Sequence, residues 1–237
     1  MTTGESKLGG ERVTGKAARE SDIALFETIE KTFYTAVLAD ALDELGEHER
    51  AMREYLRPLL PDRTFAGWAR TIVCMDAFYQ QADPYGLEIE ALDSILPGEV
   101  VAVSTGESKR NAPWGELLST AAKARGARGA VVDGLVRDVR AIQKLDFPVF
   151  TAGIKPVDSR GRGMVVDYNI PVLCGGVVVT PGDLIVADYD GVVAIPAHLV
   201  DQTLALARDK ISRENDSRRD LMNGADLSDV YTKYGVL

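Results

Sequence analysis

Sulfur and imidazole are scarce in this chain: its 237 residues include two cysteines and two histidines. Cys74 and Cys174 stand far apart, each inside an apolar run. They make neither a disulfide framework nor a zinc spacing, and both read as buried thiols. His48 lies in an acidic, polar stretch, and His198 follows Pro196 at a helix start. Neither has a Ser or Cys in a triad-like context, so nucleophilic catalysis has no support. Positive charge is also short, with 27 Lys and Arg against 36 Asp and Glu, a net charge of −9. Proteins that track phosphates carry a basic excess, so nucleic acid is not an expected partner. No apolar run approaches the roughly 18 residues that span a bilayer, and the first twenty residues lack the apolar stretch of a signal peptide. No membrane partner is expected, and the cytoplasm is the expected compartment. Gly126-Ala127-Arg128-Gly129 and Gly161-Arg162-Gly163 do not make a dinucleotide fingerprint, because the strand, third glycine and distal acid are missing.

What is present suits an ordinary globular protein: 46% hydrophobic and 27% charged residues. Residues 1–20 read as a mobile arm, rich in glycine and charge. Residues 21–237 read as one domain, extended by a C-terminal helix from about Ala197. Ser21-Asp22 are expected to cap the first helix. A second helix is expected from Thr35 to Leu45, stopped by Gly46. His48 to Asp62 reads as an irregular connection. Phe65–Met75 and Val100–Ser104 read as strands, Leu87–Ile95 and Trp114–Arg125 as helices. Ala130–Asp133 reads as a buried strand ending in Gly134, before a short helix over Val139–Leu145. Further strands are expected at 148–152, 171–173, 177–179, 183–187 and 191–195, the last four antiparallel because no helix separates them. The expected class is mixed α/β: β-α-β-α units, then consecutive strands, with helices at both ends.

Two segments carry chemistry. In Pro113-Trp114-Gly115-Glu116-Leu117-Leu118, a glycine opens a helix whose free N–H groups and positive dipole end suit a carboxylate or phosphate. In Gly129-Ala130-Val131-Val132-Asp133-Gly134-Leu135-Val136-Arg137-Asp138, a charged pair follows an apolar strand, where α/β folds place ligands. Arg137 offers a planar fork for a carboxylate, and Asp138 offers hard oxygen to Mg²⁺ or Mn²⁺ or a cap to the next helix. Nothing around Lys155 in the sequence points to Schiff-base chemistry. The polar loop from Tyr79 to Tyr85 either lines a pocket or turns.

Gly115-Glu116-Leu117-Leu118 followed by Arg137-Asp138 resembles the signature of the RraA-like family. That family contains class II 4-hydroxy-4-methyl-2-oxoglutarate (4-carboxy-4-hydroxy-2-oxoadipate) aldolases and the regulator of RNase E activity A. The resemblance continues through Ala39–Asp43, Asn169–Val172, Gly175–Val177, Pro181–Asp188, Asp190–Val192 and Tyr231–Leu237, covering roughly residues 22–237. It implies an α/β/α sandwich akin to the phosphohistidine swivelling domain, and a homotrimer or homohexamer with interfacial sites. It further implies a Mg²⁺- or Mn²⁺-dependent lyase that cleaves a 4-hydroxy-2-oxo acid to pyruvate, with oxaloacetate decarboxylation on the side. The pyruvyl group would meet the N–H groups of Gly115, Glu116, Leu117 and Leu118, and Arg137 would bind its keto and carboxylate oxygens. Asp138 would be the metal's protein ligand. Two departures stand out: Glu116 where aldolases usually carry Asp, to hold the water that moves a proton, and Arg162 or Arg160 where they often carry Lys. Glu47, Glu49 and Glu214 are the candidate acids for one subunit to lend another. The family's ribonuclease inhibitors lack the long C-terminal extension, which favours the aldolase side. The alternative is a non-catalytic protein-binding regulator of a ribonuclease.

Overall fold

The computed structural model describes residues 18–236. Four parallel strands form the centre of the main sheet: β2 (Phe65–Asp76), β3 (Glu99–Ser104), β4 (Gly129–Val136) and β5 (Val149–Ile154). They are joined by α3 (Gly86–Asp93), α4 (Glu116–Ala124) and α5 (Val139–Leu145), the βαβ arrangement that the alternation implied. β1 (Arg57–Pro58) pairs antiparallel with β5 inside the stretch expected to be irregular. On the other side, β2 divides its free edge. Phe65–Trp68 pair with β9 (Leu184–Ala187), and Ile72–Asp76 pair with β6 (Gly163–Tyr168). β10 (Val192–Ile195) closes that side antiparallel to β9, and β7 (Val172–Cys174) with β8 (Val177–Val179) make a separate antiparallel hairpin.

The strand period of two decides the layers. Val101 and Val103 of β3 join the core beneath α3, α4 and α5, with Leu92, Ile142 and Phe147. Val100 and Ala102, their neighbours in sequence, face the hairpin side with Leu56, Phe65, Phe150 and Val179. Every residue of β4 is buried, which is why its sequence is apolar on both faces rather than alternating, with Asp133 its one charged residue. A third core holds α1 (Glu20–Thr32), α2 (Thr35–Glu44) and α6 (Val200–Met222) against β9 and β10 through Phe26, Leu38, Val193 and Leu204. Burying each such side chain contributes about 1.5–3 kcal/mol.

Several local expectations change. The expected arm, residues 1–20, lies outside the described residues except for its end, where Ala18 N bonds Pro97 O at 3.1 Å and α1 begins at Glu20. Ser21-Asp22 are not the cap: Asp22 sits within the first turn, and its carboxylate accepts from Arg19 N at 2.8 Å. The long C-terminal helix starts with a 3₁₀ turn, Ala197–Leu199, before α6. The tail forms α7 (Leu227–Tyr234) and docks through Val230, with Val236 buried beyond it. Among the described residues no helix is long and apolar enough to cross a membrane.

Candidate active site

Three loops leave the carboxyl ends of β3, β4 and β5 on one side of the sheet. With the start of α3 they enclose a cleft of about 330 Å³. Backbone bonds join the loops: Trp114 bridges Val136, Arg137 N donates to Trp114 O at 3.0 Å, and Lys155 N donates to Val136 O at 2.9 Å. β4 does not end at Gly134 but runs on to Val136. Its register against β5 shifts between Val132 and Leu135, and this irregularity re-aims the strand just before Arg137.

Gly115 is the N-cap of α4 rather than a residue of its first turn, and no side chain caps this end. The helix's first N–H groups therefore stay open at the cleft wall. The turn is locked from behind. Trp114, only 2% exposed, donates its Nε1–H to Ser119 Oγ at 2.8 Å, and Ser119 Oγ donates to Gly115 O at 3.0 Å. Trp114 thus belongs to the loop, not to the helix expected to begin there. A side chain here would crowd the site: a β-carbon would lie 2.8 Å from Asp138 Oδ2 and 3.1 Å from Arg137 Cγ, so the carboxylate would have to swing aside.

Asp138 precedes α5 with left-handed dihedrals, φ 59° and ψ 30°, and its side chain makes no capping bond. A non-glycine residue in this region is strained, and here the strain turns the carboxylate toward Gly115 and away from helix capping. Arg137 is half-buried. Its Nε lies 3.6 Å from Asp138 Oδ2 and its Nη2 lies 3.4 Å from Asp158 Oδ1. Both separations are ion pairs too long for hydrogen bonds. Among the described residues nothing accepts a hydrogen bond from the Arg137 guanidinium, so its donors remain available to a ligand.

Tyr85 Oη donates to Asp158 Oδ2 at 2.5 Å, which raises the tyrosine's pKa. Burial pushes Asp158 upward. The Tyr85 hydroxyl, Arg137 and the Ser159 and Arg160 N–H groups outweigh it and leave the carboxyl below its usual range. Glu88 moves the other way: burial first, then the nearby Asp158 charge, raise it to about 7 against the opposing effect of Arg137. Titratable groups driven in opposite directions within one cleft are the pattern that acid–base sites show.

Gly115, Leu117, Leu118, Arg137 and Asp138 all line the cleft. Glu116 and Arg162 do not. Thr120 Oγ1 donates to Glu116 Oε1 at 2.8 Å, and exposed Arg162 reaches the carbonyls of Asp158 and Arg160. Glu47 pairs with Arg50, and Glu214 with Tyr34, away from this cleft. Glu88 and Asp158 were not expected. The acid of Glu88 points inward from α3, and no motif in its neighbourhood signals that. Among the described residues no group of three or more His, Cys, Asp or Glu side chains could enclose a metal. The donor set fits only a water-rich hard cation, since Mg²⁺ keeps several waters and takes one or two carboxylates. Asp138, with its side chain 51% exposed and free of capping, suits that role.

A family model described as Aldolase/RraA matches residues 35–194. A protein of Halalkalibacterium halodurans named "Putative 4-hydroxy-4-methyl-2-oxoglutarate aldolase" is 34% identical over 186 residues, covering 78% of this chain and 83% of that one. The crystal structure of Streptomyces coelicolor RraAS2, titled an unusual member of the RNase ES inhibitor RraA protein family, superposes with a TM-score of 0.75. Its identity is 28%, over 86% of this chain and 98% of that one. An uncharacterized Pseudomonas syringae protein shares the fold alone, with a TM-score of 0.80 at 23% identity over 97% of this chain and 100% of its own. The mixed sheet with helices at both ends is the fold of these neighbours, and the chain belongs to the RraA-like family.

Proposed function

We propose that this protein is a divalent-metal-dependent carbon–carbon lyase that cleaves a 4-hydroxy-2-oxo acid to pyruvate and a second carbonyl compound. The observation that carries the reading is the guanidinium fork of Arg137, held in long ion pairs by Asp138 and Asp158 and set beside the uncapped start of α4. The name of the Halalkalibacterium relative supports the same class.

The open N–H groups of the Gly115–Leu118 turn and the positive end of the helix bind the substrate carboxylate. Cleavage breaks the C3–C4 bond and sends its electron pair toward the 2-oxo oxygen. Arg137 donates to that oxygen as charge develops there, an interaction worth most in a partly dry site. Asp138 would hold a Mg²⁺ or Mn²⁺ ion, which when bound would supply Lewis-acid stabilisation of the same charge. Glu88 moves the proton. Its carboxylate takes the 4-hydroxyl proton as the bond breaks, and its acid form returns it to C3 of pyruvate. A pKa of about 7 serves both directions. Asp158, held by Tyr85, orients Arg137. Oxaloacetate develops charge at the same oxygen when it loses CO₂, so slow decarboxylation is the expected side activity. A trimer or hexamer is the expected assembly.

The test is pyruvate release from a 4-hydroxy-2-oxo acid, coupled to lactate dehydrogenase, with Mg²⁺ and then with EDTA. Release that EDTA abolishes supports the reading; release that EDTA leaves intact contradicts the metal requirement. The likeness to RraAS2 favours a second reading, a protein-binding regulator of a ribonuclease. Inhibition of a ribonuclease together with no pyruvate release would favour it.

A further inference from the structure

Glu88 borders two cavities. Besides the cleft it lines a smaller inner chamber, and the two share Glu88, Pro113 and Ser159 as walls. Cys74 and Asp76 of β2, Gly163 of β6, and Ser108 and Asn111 from the loop before α4 complete much of the chamber. Its volume is about 10 Å³, room for one water molecule. Every residue that lines it lies within 18–236. Asn111 is 5% exposed, so an approaching subunit finds little of it. Its Oδ1 is sealed from solvent, and among the described residues nothing donates a hydrogen bond to it. The hydroxyls nearby are committed: Ser108 Oγ donates to Asp76 Oδ1 at 2.7 Å, and Thr105 Oγ1 donates to Asp133 O. Among the described residues no group hydrogen-bonds the Glu88 carboxyl either. A buried amide left without a partner costs about 1–3 kcal/mol, and buried polar groups that lack a protein partner are served by ordered water.

This step rests on the lyase reading, in which Glu88 moves the proton. A group that alternates between carboxylate and acid needs a neighbour that serves both forms. Water does so, donating to a carboxylate and accepting from an acid. The Asn111 carboxamide, with an acceptor and two donors, holds such a water in either orientation. We propose that one ordered water in the inner chamber joins the Asn111 carboxamide to the Glu88 carboxyl group, and that Asn111 is thereby a positioning residue for the proton step. The water engages one carboxyl oxygen from behind and leaves the other to the substrate. It forms hydrogen bonds only; the proton still passes from the 4-hydroxyl to Glu88 and from Glu88 to C3. The charges that face Glu88 are Arg137, Asp138 and Asp158 in the cleft and Asp76 on β2. Burial pushes the Cys74 thiol up to about 12, and the Asp158 hydrogen bond raises Tyr85, so both stay protonated and do not compete for the proton.

A crystal structure of the full chain, at a resolution that shows ordered water, tests the site directly. A water within hydrogen-bond distance of both the Asn111 carboxamide and the Glu88 carboxyl is expected. Asn111→Leu keeps nearly the same volume and offers the water no partner. With Mg²⁺, its exchange of pyruvate methyl protons for deuterium should fall about tenfold in kcat, with KM for pyruvate unchanged within about twofold. The pH at which its kcat/KM levels off should also rise, because the Glu88 carboxylate has lost a donor. A purely structural asparagine would leave that pH unmoved. In Gly163→Ala a β-carbon would lie 2.7 Å from Asn111 Nδ2, so this variant should displace the amide and change rate and pH profile in the same direction. If Asn111→Leu fails to fold, the native crystal structure and Gly163→Ala decide in its place. A chamber without that water overturns the proposal and leaves the lyase reading standing. So does a folded Asn111→Leu with native exchange and a native pH profile. A native chain that holds the water but exchanges no pyruvate proton overturns the lyase reading, and the role of Asn111 with it.

Discussion

The Asp138 carboxylate occupies the space that a side chain at position 115 would need: a β-carbon on Gly115 would come within 2.8 Å of Asp138 Oδ2. One residue without a side chain therefore lets the α4 N-terminus and the proposed metal ligand approach each other. Gly115→Ala should displace Asp138 and Arg137 together. A 1 Å misplacement is enough to cost about 10²-fold in rate. The expected outcome is a loss of kcat of about 10²-fold with Tm little changed, because φ at Gly115 is −156° and alanine adopts it without strain. A variant with native kcat would show that the two groups need not be so close.

Asp138→Ala removes the proposed direct ligand. Mg²⁺ should raise the Tm of the native chain, since a ligand that binds the folded state stabilises it. The variant should show no such rise and no Mg²⁺-dependent turnover. A Tm that still responds to Mg²⁺ at the same concentrations would place the ion elsewhere.

The raised pKa of Glu88 sets two pH dependences. For turnover, the carboxylate is the form that accepts the 4-hydroxyl proton, so kcat/KM should rise with pH and level off above about 7. For stability, the folded pKa lies above the ordinary value of 4.5. Below 4.5 the group is protonated in both states. Between 4.5 and about 7 only the folded chain keeps the proton, so stability falls as pH rises, and above 7 the loss is complete. Glu88→Gln should abolish the rise in kcat/KM. Allowing for partial exposure, it should also be more stable than the native chain at pH 8, relative to pH 5, by on the order of 2 kcal/mol. Urea titrations at the two pH values check this, and an unchanged difference would contradict the burial of the charge.

Asp133, 3% exposed, ties β4 to the hairpin side of the sheet. Its carboxylate accepts from Tyr55 Oη at 2.8 Å and from Gly175 N at 2.8 Å. Asp133→Ala strands both donors, and the expected loss is about 3 kcal/mol in chemical denaturation. A loss below about 1 kcal/mol would mean that water replaces the carboxylate at both donors.

Much of this fold is legible in the sequence for simple reasons. α5 spans the expected Val139–Leu145, and β8 the expected Val177–Val179, because local pattern and turn residues agree at both. β6 was not anticipated. Gly163-Met164-Val165-Val166-Asp167-Tyr168 follows a glycine-rich turn, and its strand character comes from pairing with the distant end of β2. Arg137 and Asp138 were legible because a strand's carboxyl end is a known place for ligands. Glu88 was not, since its burial depends on how α3 packs over the cleft. Asp158 lies in the segment that carries Arg160 and Arg162, and the structure turns its acid, not either arginine, into the cleft.

In the proposed reaction Arg137, Asp138 and the α4 turn stabilise charge on the 2-oxo oxygen of a pyruvyl group. Exchange of the pyruvate methyl protons for deuterium, followed by NMR in D₂O, tests that step without requiring the natural substrate. The expected exchange depends on Mg²⁺, stops with EDTA, and falls at least 10²-fold in Asp138→Ala. Exchange no faster than buffer at saturating pyruvate and Mg²⁺ would contradict it.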